Sequence, residues 1–340
     1  IVLLVLILVS IWLGMKQRDR QWELIQTIKS GLNSRAPAAA PAPARTADAP
    51  KTREEAWARP GVKVEWQEPW GFSTDPSTQK GFQSGGAFTE VFEVRPAKLV
   101  PNIQTDTYGR RVVDLVVQSL GAYDPKTLKL RGVLAEAWQL DPDGLWFRAK
   151  IWDHAVFSDG VPVTAEDLRW SFHDFIMNTE VEAQRQRSFI GDQVDTITAI
   201  SDRVVEIKFK KRLFSNLDTA LTMFVLPKHY YSRFTPAELN KGTGLLMGSG
   251  PFRLEDTDPD NQWTPGSIIE LVRNERYWGP RPPLDRMRFR DITDELARLT
   301  AYKNGDADLI TPSAPQFMSL KNDPKFASEN QLFNAITMRS

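Results

Sequence analysis

A mixed α+β fold, an α/β chain without a strict βαβ rhythm, follows from three features of the sequence. Stretches of strand period recur between about residues 86 and 292, and apolar stripes of helical period are interspersed among them. No internal repeat orders the two kinds of element, which excludes solenoids and propellers. With 340 residues the chain can bury a real core, and length alone allows more than one domain.

The N-terminal stretch stands apart from that pattern. Residues 1–15 are almost wholly apolar through Gly14, but shorter than the roughly 20 residues that a membrane span requires. They are expected to be the end of a membrane anchor, and a signal-peptide core is the alternative. Lys16, Arg18 and Arg20 follow directly, a placement that by itself favours the cytoplasmic side. Within residues 16–33, Trp22, Ile25, Ile28 and Leu32 share one side of a possible juxtamembrane helix; a solvated spacer is equally consistent. Residues 34–60 are rich in Pro and Ala and read as a semi-rigid linker. At about 3.1 Å per residue it reaches roughly 70–80 Å. The globular part is expected over residues 61–340.

Within that part the elements follow in turn. Residues 86–94 read as a strand. Residues 108–120 read as a helix with Val112, Val116 and Leu120 aligned and Gly121 as its stop. Asp141-Pro142-Asp143-Gly144 is a strong turn, because Pro fixes φ and Gly accepts a positive φ. Phe147, Ala149 and Ile151 alternate with Trp146, Arg148 and Lys150 after it, so a hairpin is predicted with Ala137–Leu140. Thr164 and Asp167 form a capping-box pattern in which the Thr hydroxyl can accept an orphan amide. Leu168, Phe172, Phe175 and Ile176 then share one helical face. Residues 197–209 read as a second hairpin turning at Ser201-Asp202. Residues 268–272 and 287–292 read as strands, and Asp294 opens a helix closed by Gly305.

Composition removes several kinds of chemistry. Lys plus Arg and Asp plus Glu are equal at 43 each, so no basic face invites nucleic acid. Cysteine is absent, which excludes disulfides, thiolate metal sites and a lipid-modified Cys. The three histidines, His154, His173 and His229, have no metal-ligand spacing. There is no P-loop and no G-x-S-x-G nucleophile elbow, so neither ATP binding through such a loop nor hydrolysis through such a Ser is expected. Gly248-Ser249-Gly250 comes near the latter, but Pro251 follows; a tight turn into a strand at Phe252–Leu254 is the simpler reading. The acidic pair Asp294-Glu295 sits where a helix start needs a cap. The eleven Trp read first as core and turn packing, with a few available to a cleft.

Three ordered blocks resemble one family. The first runs Leu134-Ala135-Glu136-Ala137-Trp138, Asp143-Gly144, then Phe157-Ser158-Asp159-Gly160 through Thr164-Ala165-Glu166-Asp167 to Ser171-Phe172. The second runs Gly248-Ser249-Gly250-Pro251-Phe252, Arg273-Asn274, Tyr277-Trp278, Leu284-Asp285 and Gly305 to Asp308. The third is Leu99-Val100-Pro101. Together, over about residues 85–309, they are similar to the family 5 extracellular solute-binding proteins, the peptide-type receptors of ABC importers. One departure is Ser158, where the family usually has His.

The resemblance implies lobes of the type II periplasmic binding protein kind. The first lobe is expected at about 86–100 and 192–288, the second at about 101–191, and the start of a third at about 289–340. The chain lacks a later family block and is expected to be the N-terminal portion of a longer protein. The resemblance also implies a receptor at the periplasmic or extracellular face of the membrane. Its partners would be a peptide or other small solute, and a permease and ATPase on separate chains. It implies no cofactor, no metal and no catalysis. Contacts to the solute are expected from Glu93, Arg95 and Asn102, at the first strand and its exit, and from the Gly248, Ser249, Gly250 turn. An anchored scaffold or sensor, and less so a hydrolase, are the alternative functions.

Overall fold

The computed structural model describes residues 56–71, 76–125, 127–330 and 332. The expected anchor or signal segment, the juxtamembrane helix and the linker up to residue 55 lie outside them. Among the described residues no helix is long and apolar enough to cross a membrane.

In chain order the strands are β1 (Glu65–Trp66), β2 (Ala87–Phe92), β3 (Gly121–Tyr123), β4 (Leu130–Gly132), β5 (Ala135–Leu140), β6 (Trp146–Ile151), β7 (Val194–Ser201), β8 (Val204–Phe209), β9 (Phe252–Leu254), β10 (Ile269–Arg273) and β11 (Arg286–Asp291). The helices are α1 (Thr107–Val116), α2 (Ala165–Trp170), α3 (Gln184–Gly191), α4 (Asn216–Thr222), α5 (Lys228–Tyr231), α6 (Pro236–Lys241), α7 (Glu295–Lys303), α8 (Ala314–Lys321) and α9 (Pro324–Glu329). An antiparallel sheet runs β1-β5-β6-β8-β7. A mixed sheet runs β2-β11-β10-β9, with β2 and β11 parallel. β3 and β4 form a separate ribbon.

Both hairpins form for the reasons their sequences suggest. Gly144 takes φ 69° in the 141–144 turn, and Asp141 accepts the Leu145 amide at 3.0 Å. Phe147, Ala149 and Ile151 of β6 and Val205 and Ile207 of β8 are completely buried. They share one continuous apolar cluster with Phe92, Val112, Val116, Leu168, Phe172, Leu271 and Phe289, so the core serves both sheets. Each such side chain contributes on the order of 1.5–3 kcal/mol through burial. The chain after Trp170 widens into a π turn at Ser171–Ile176, closed by Met177 N–H to Phe172 C=O at 2.9 Å. The wider turn still keeps Phe172, Phe175 and Ile176 in the core.

Three expectations need correction. The helix predicted to Leu120 ends at Val116. Val117 is extended, and Ser119 instead bridges Phe224 as a strand would. Gly121 is therefore the start of β3, not a helix stop. The Thr164–Asp167 capping box, by contrast, forms as expected, and Asp167 Oδ2 accepts both Thr164 N–H at 2.8 Å and the Thr164 hydroxyl at 2.7 Å. The linker does not extend to Pro60. Arg59 exchanges backbone bonds with the buried Gln139 side chain and lays its guanidinium on Glu206. Finally, a lobe boundary between residues 191 and 192 would cut a continuous sheet. β8 pairs with β6 over five residue pairs, from Trp146↔Lys208 to Lys150↔Val204.

Candidate functional site

The segment before α1 is unusual in being both buried and strained. Leu99, Val100 and Ile103 are core residues, and Leu99 N–H is tied to Thr243 C=O at 2.8 Å. Between them Asn102 adopts φ 64°, the left-handed region that a non-glycine residue occupies at a cost. Only 6% of Asn102 is exposed, and its Nδ2 has no hydrogen-bond partner among the described residues. A buried unpaired donor is expensive, so such a group on strained backbone calls for an explanation, of which a ligand is one.

Asn102 lines a cavity of about 190 Å³ among α1, α3 and α4, walled by Arg110, Gln186, Phe189, Thr222 and Phe224. α1 is placed by Asp106, whose Oδ1 accepts Gly109 N–H at 2.6 Å as the N-cap. Val112, Val113 and Val116 turn inward, which leaves Arg110 and Asp114 on the outer side as an i,i+4 ion pair at 2.7 Å. Phe224 is held by the Ser119 bridge and by Val225 N–H to Gln118 C=O at 2.9 Å. The Arg110 guanidinium lies over its ring at 4.2 Å. Phe189 is 54% exposed, an apolar ring presented at the mouth. Arg110, Thr222 and Phe224 also line an adjoining cavity of about 410 Å³ that runs on to Gln118, Tyr277 and Trp70.

The six residues expected to contact a solute occupy three places. Asn102 is in the cavity. Glu93 and Arg95 lie at the exit of β2, where Arg95 Nε donates to Asp291 Oδ2 at 2.8 Å across the ends of the parallel strands. Burial, then the Glu93 charge, raises the Tyr108 hydroxyl above its ordinary range, so Glu93 and Tyr108 are close. Phe92 packs between Tyr108 and Phe289 at 4.6 and 5.1 Å. Buried Glu90, also on β2, is ion-paired to Arg111 of α1; burial raises its pKa and Arg111 opposes the rise.

Gly248, Ser249 and Gly250 form the third group, behind the C-terminal end of α1. A Cβ on Gly248 would stand 2.2 Å from Val116 O, and one on Gly250 2.5 Å from Leu115 O. Close packing therefore accounts for both glycines. Ser249 is fully buried and its hydroxyl donates to Gln118 Oε1 at 3.0 Å. The same oxygen accepts Trp278 Nε1–H at 3.1 Å, and Gln118 Nε2 donates to the Tyr277 hydroxyl at 3.1 Å. The turn thus supports a wall of the adjoining cavity through Gln118. Sequence reasoning missed Arg110, Gln186, Phe189, Thr222 and Phe224, which come from α1, α3, α4 and the segment after α4.

No group of three or more His, Cys, Asp or Glu side chains capable of holding a metal occurs among the described residues. His229 is paired with Asp159 at 2.6 Å, and His154 lies between Trp152 and Trp278, each ring 5.6 Å away.

Comparison with known proteins agrees with this architecture. The family model for bacterial extracellular solute-binding proteins, family 5, matches residues 129–338. A putative ABC transporter peptide-binding protein of Brucella ovis is 27% identical over 263 residues, 75% of this chain and 46% of that protein. The nickel-binding periplasmic protein of Escherichia coli is 29% identical over 181 residues, 52% of this chain and 32% of its own length. Among solved structures, the oligopeptide-binding protein AppA of Bacillus subtilis, in complex with a nonapeptide, superposes with a TM-score of 0.61 at 23% identity. The match covers 71% of this chain and 47% of that one. The chain therefore spans about half the length, or less, of the relatives it matches.

Proposed function

The chain belongs to the bacterial extracellular solute-binding proteins of family 5, and we propose that it captures peptides or similar small solutes for an ABC importer. The observation that carries this reading is Asn102, a buried amide donor without a partner, held on strained backbone at the wall of a cavity. The cavity holds hydroxyl, amide and aromatic groups, the set that grips an extended polar chain without breaking it. The solute leaves unchanged. The permease and ATPase are separate chains, and the apolar N-terminal segment tethers the receptor at the periplasmic or extracellular face. Glu93 and Arg95 form a second contact region at the ends of the parallel strands. The lobes follow the sheets: the five-stranded sheet, including β7 and β8, stays in one lobe, and β2 with β9–β11 form another.

The test is thermal unfolding of the full chain with a panel of tri- to pentapeptides, followed by mass spectrometry of the peptide. A binder at one hundred times its Kd gains about 2.7 kcal/mol. A rise in Tm with intact peptide supports the proposal, and Asn102→Ala should remove that rise. Cleaved peptide would replace it with an enzyme, and no rise with any peptide would reject it.

A further inference from the structure

We propose that Arg110 is a specificity-determining residue of the cavity beside Asn102 and that it takes a carboxylate, so the solute is a peptide or similar molecule with an anionic end. This rests on the cavity being the solute site. Arg110 is the one charged side chain among the cavity's lining residues, and it lines the adjoining cavity as well. It forms part of the wall of both spaces.

The guanidinium is built in place but mostly unspent. Its Nε donates to Asp114 Oδ1 at 2.7 Å. Its two terminal nitrogens have no hydrogen-bond partner among the described residues, which leaves four N–H donors in a planar fork. That fork matches a carboxylate two bonds at a time. Its platform is rigid, since Phe224 is buried and pinned by the Ser119 bridge. Asn102 Nδ2, buried in the wall of the same cavity, is a further donor without a partner among the described residues. The two hydroxyls nearby already donate, Thr222 to Asp218 C=O at 2.9 Å and Thr219 to Gln193 Oε1 at 3.0 Å. The donors left over call for an acceptor-rich, negatively charged group, and Arg110 repels an ammonium end.

Asp114 is the competitor. Both partners are about half exposed, and such a pair is weak enough to exchange for a ligand carboxylate. Beyond Arg110, the aromatic residues Tyr123, Trp70 and Tyr277 line the larger space.

Two pools of the same tripeptides decide the matter, one with free C-terminal carboxylates and one amidated, titrated calorimetrically into the full chain. The acid pool should bind at least about tenfold tighter than the amide pool, a ratio that shrinks as salt rises. Arg110→Gln should bring the acid pool down to the affinity of the amide pool, so that the ratio between the two falls from about tenfold to about one. Asp114→Asn should tighten the acid pool about threefold by removing the competitor. Equal affinities for the two pools, or an Arg110→Gln loss shared equally by both, would overturn this assignment while leaving the receptor reading intact. Binding of neither pool would overturn both.

Discussion

Replacing Glu206 by Ala should destabilise the protein far more than any single surface charge can. Gln139, Arg148 and Glu206 are direct cross-strand neighbours on β5, β6 and β8, on the side of the sheet away from Phe147 and Ile207. All three are spent on the chain that precedes β1. Glu206 accepts two bonds from Arg148 at 2.9 and 2.6 Å and two from Arg59 at 3.1 and 2.6 Å. Arg148 also donates to Trp57 C=O at 3.0 Å, and Gln139 Nε2 donates to Val62 C=O at 2.6 Å. The side chains of Glu206 and Arg148 are only 6% and 15% exposed. Removing the carboxylate strands a buried guanidinium, which costs about 3–5 kcal/mol. At about 2–4 °C per kcal/mol for a domain of this size, Tm should fall by roughly 6–20 °C. Arg59 is more exposed, and Arg59→Ala should cost only about 1 kcal/mol. The double replacement Arg148→Met with Glu206→Met should come within about 1 kcal/mol of the parent, because neither charge is left unpaired. Urea unfolding followed by tryptophan fluorescence measures all four proteins. A Glu206→Ala loss below about 1 kcal/mol, or one matched by Arg59→Ala, would refute the account of this row.

Gly248→Ala should cost about 3 kcal/mol, the upper end for overpacking, since its Cβ would meet the Val116 carbonyl oxygen at 2.2 Å and the Val117 Cα at 2.8 Å, both backbone; a parent-like urea midpoint would contradict this. Tyr231→Phe should cost about 1–3 kcal/mol, because the buried hydroxyl donates to Leu245 C=O at 3.1 Å and accepts Met247 N–H at 3.1 Å; the same titration reads it. The Arg169 guanidinium, with Lys228 behind it, holds the Glu166 carboxyl at about 2, below its ordinary 4.5. A depressed carboxylate stabilises the fold above its unfolded pKa, and that contribution is lost as pH falls from about 4.5 to about 2. Glu166→Gln should therefore flatten the stability profile across that window. At pH 7 it should cost no more than about 1 kcal/mol, since solvent reaches 38% of the side chain; an unchanged acid slope would count against the pairing.

Local chemistry made most of the fold legible. The 141–144 turn, the β5–β6 and β7–β8 hairpins and the capped start of α7 each depend on residues within a few positions of one another, and each forms within three residues of its predicted bounds. The failures share a different cause. α1 stops at Val116 because Ser119 and Gln118 find partners at Phe224 and Val225, more than a hundred positions away. No pattern within residues 108–120 records that competition, and their apolar spacing suits a longer helix. The end of the linker was misjudged for the same reason. Trp57 and Arg59 read as part of a polar, Pro-rich run until Gln139, Arg148 and Glu206 are aligned across three strands.

The site follows the same division. Asn102 could be singled out because it follows Leu99-Val100-Pro101, a fixed offset in a familiar block, and its neighbours in sequence keep it in the cavity wall. Gly248 and Gly250 were also singled out by a motif, but a Gly demanded by close packing and a Gly demanded by a ligand look alike in sequence. Only the 2.2 Å approach to Val116 O separates the two, and it favours packing. Arg110 carries no motif at all. As one half of an i,i+4 pair with Asp114 it looks like an ordinary solvated helix face. What sets it apart is Phe224 beneath it, Asn102 in the same cavity wall and two terminal nitrogens without a partner among the described residues. A recognition group of this kind is defined by what surrounds it and what it leaves unspent. It becomes visible only when segments distant in sequence are brought together, which is why the scaffold was easier to read than the residues that choose the solute.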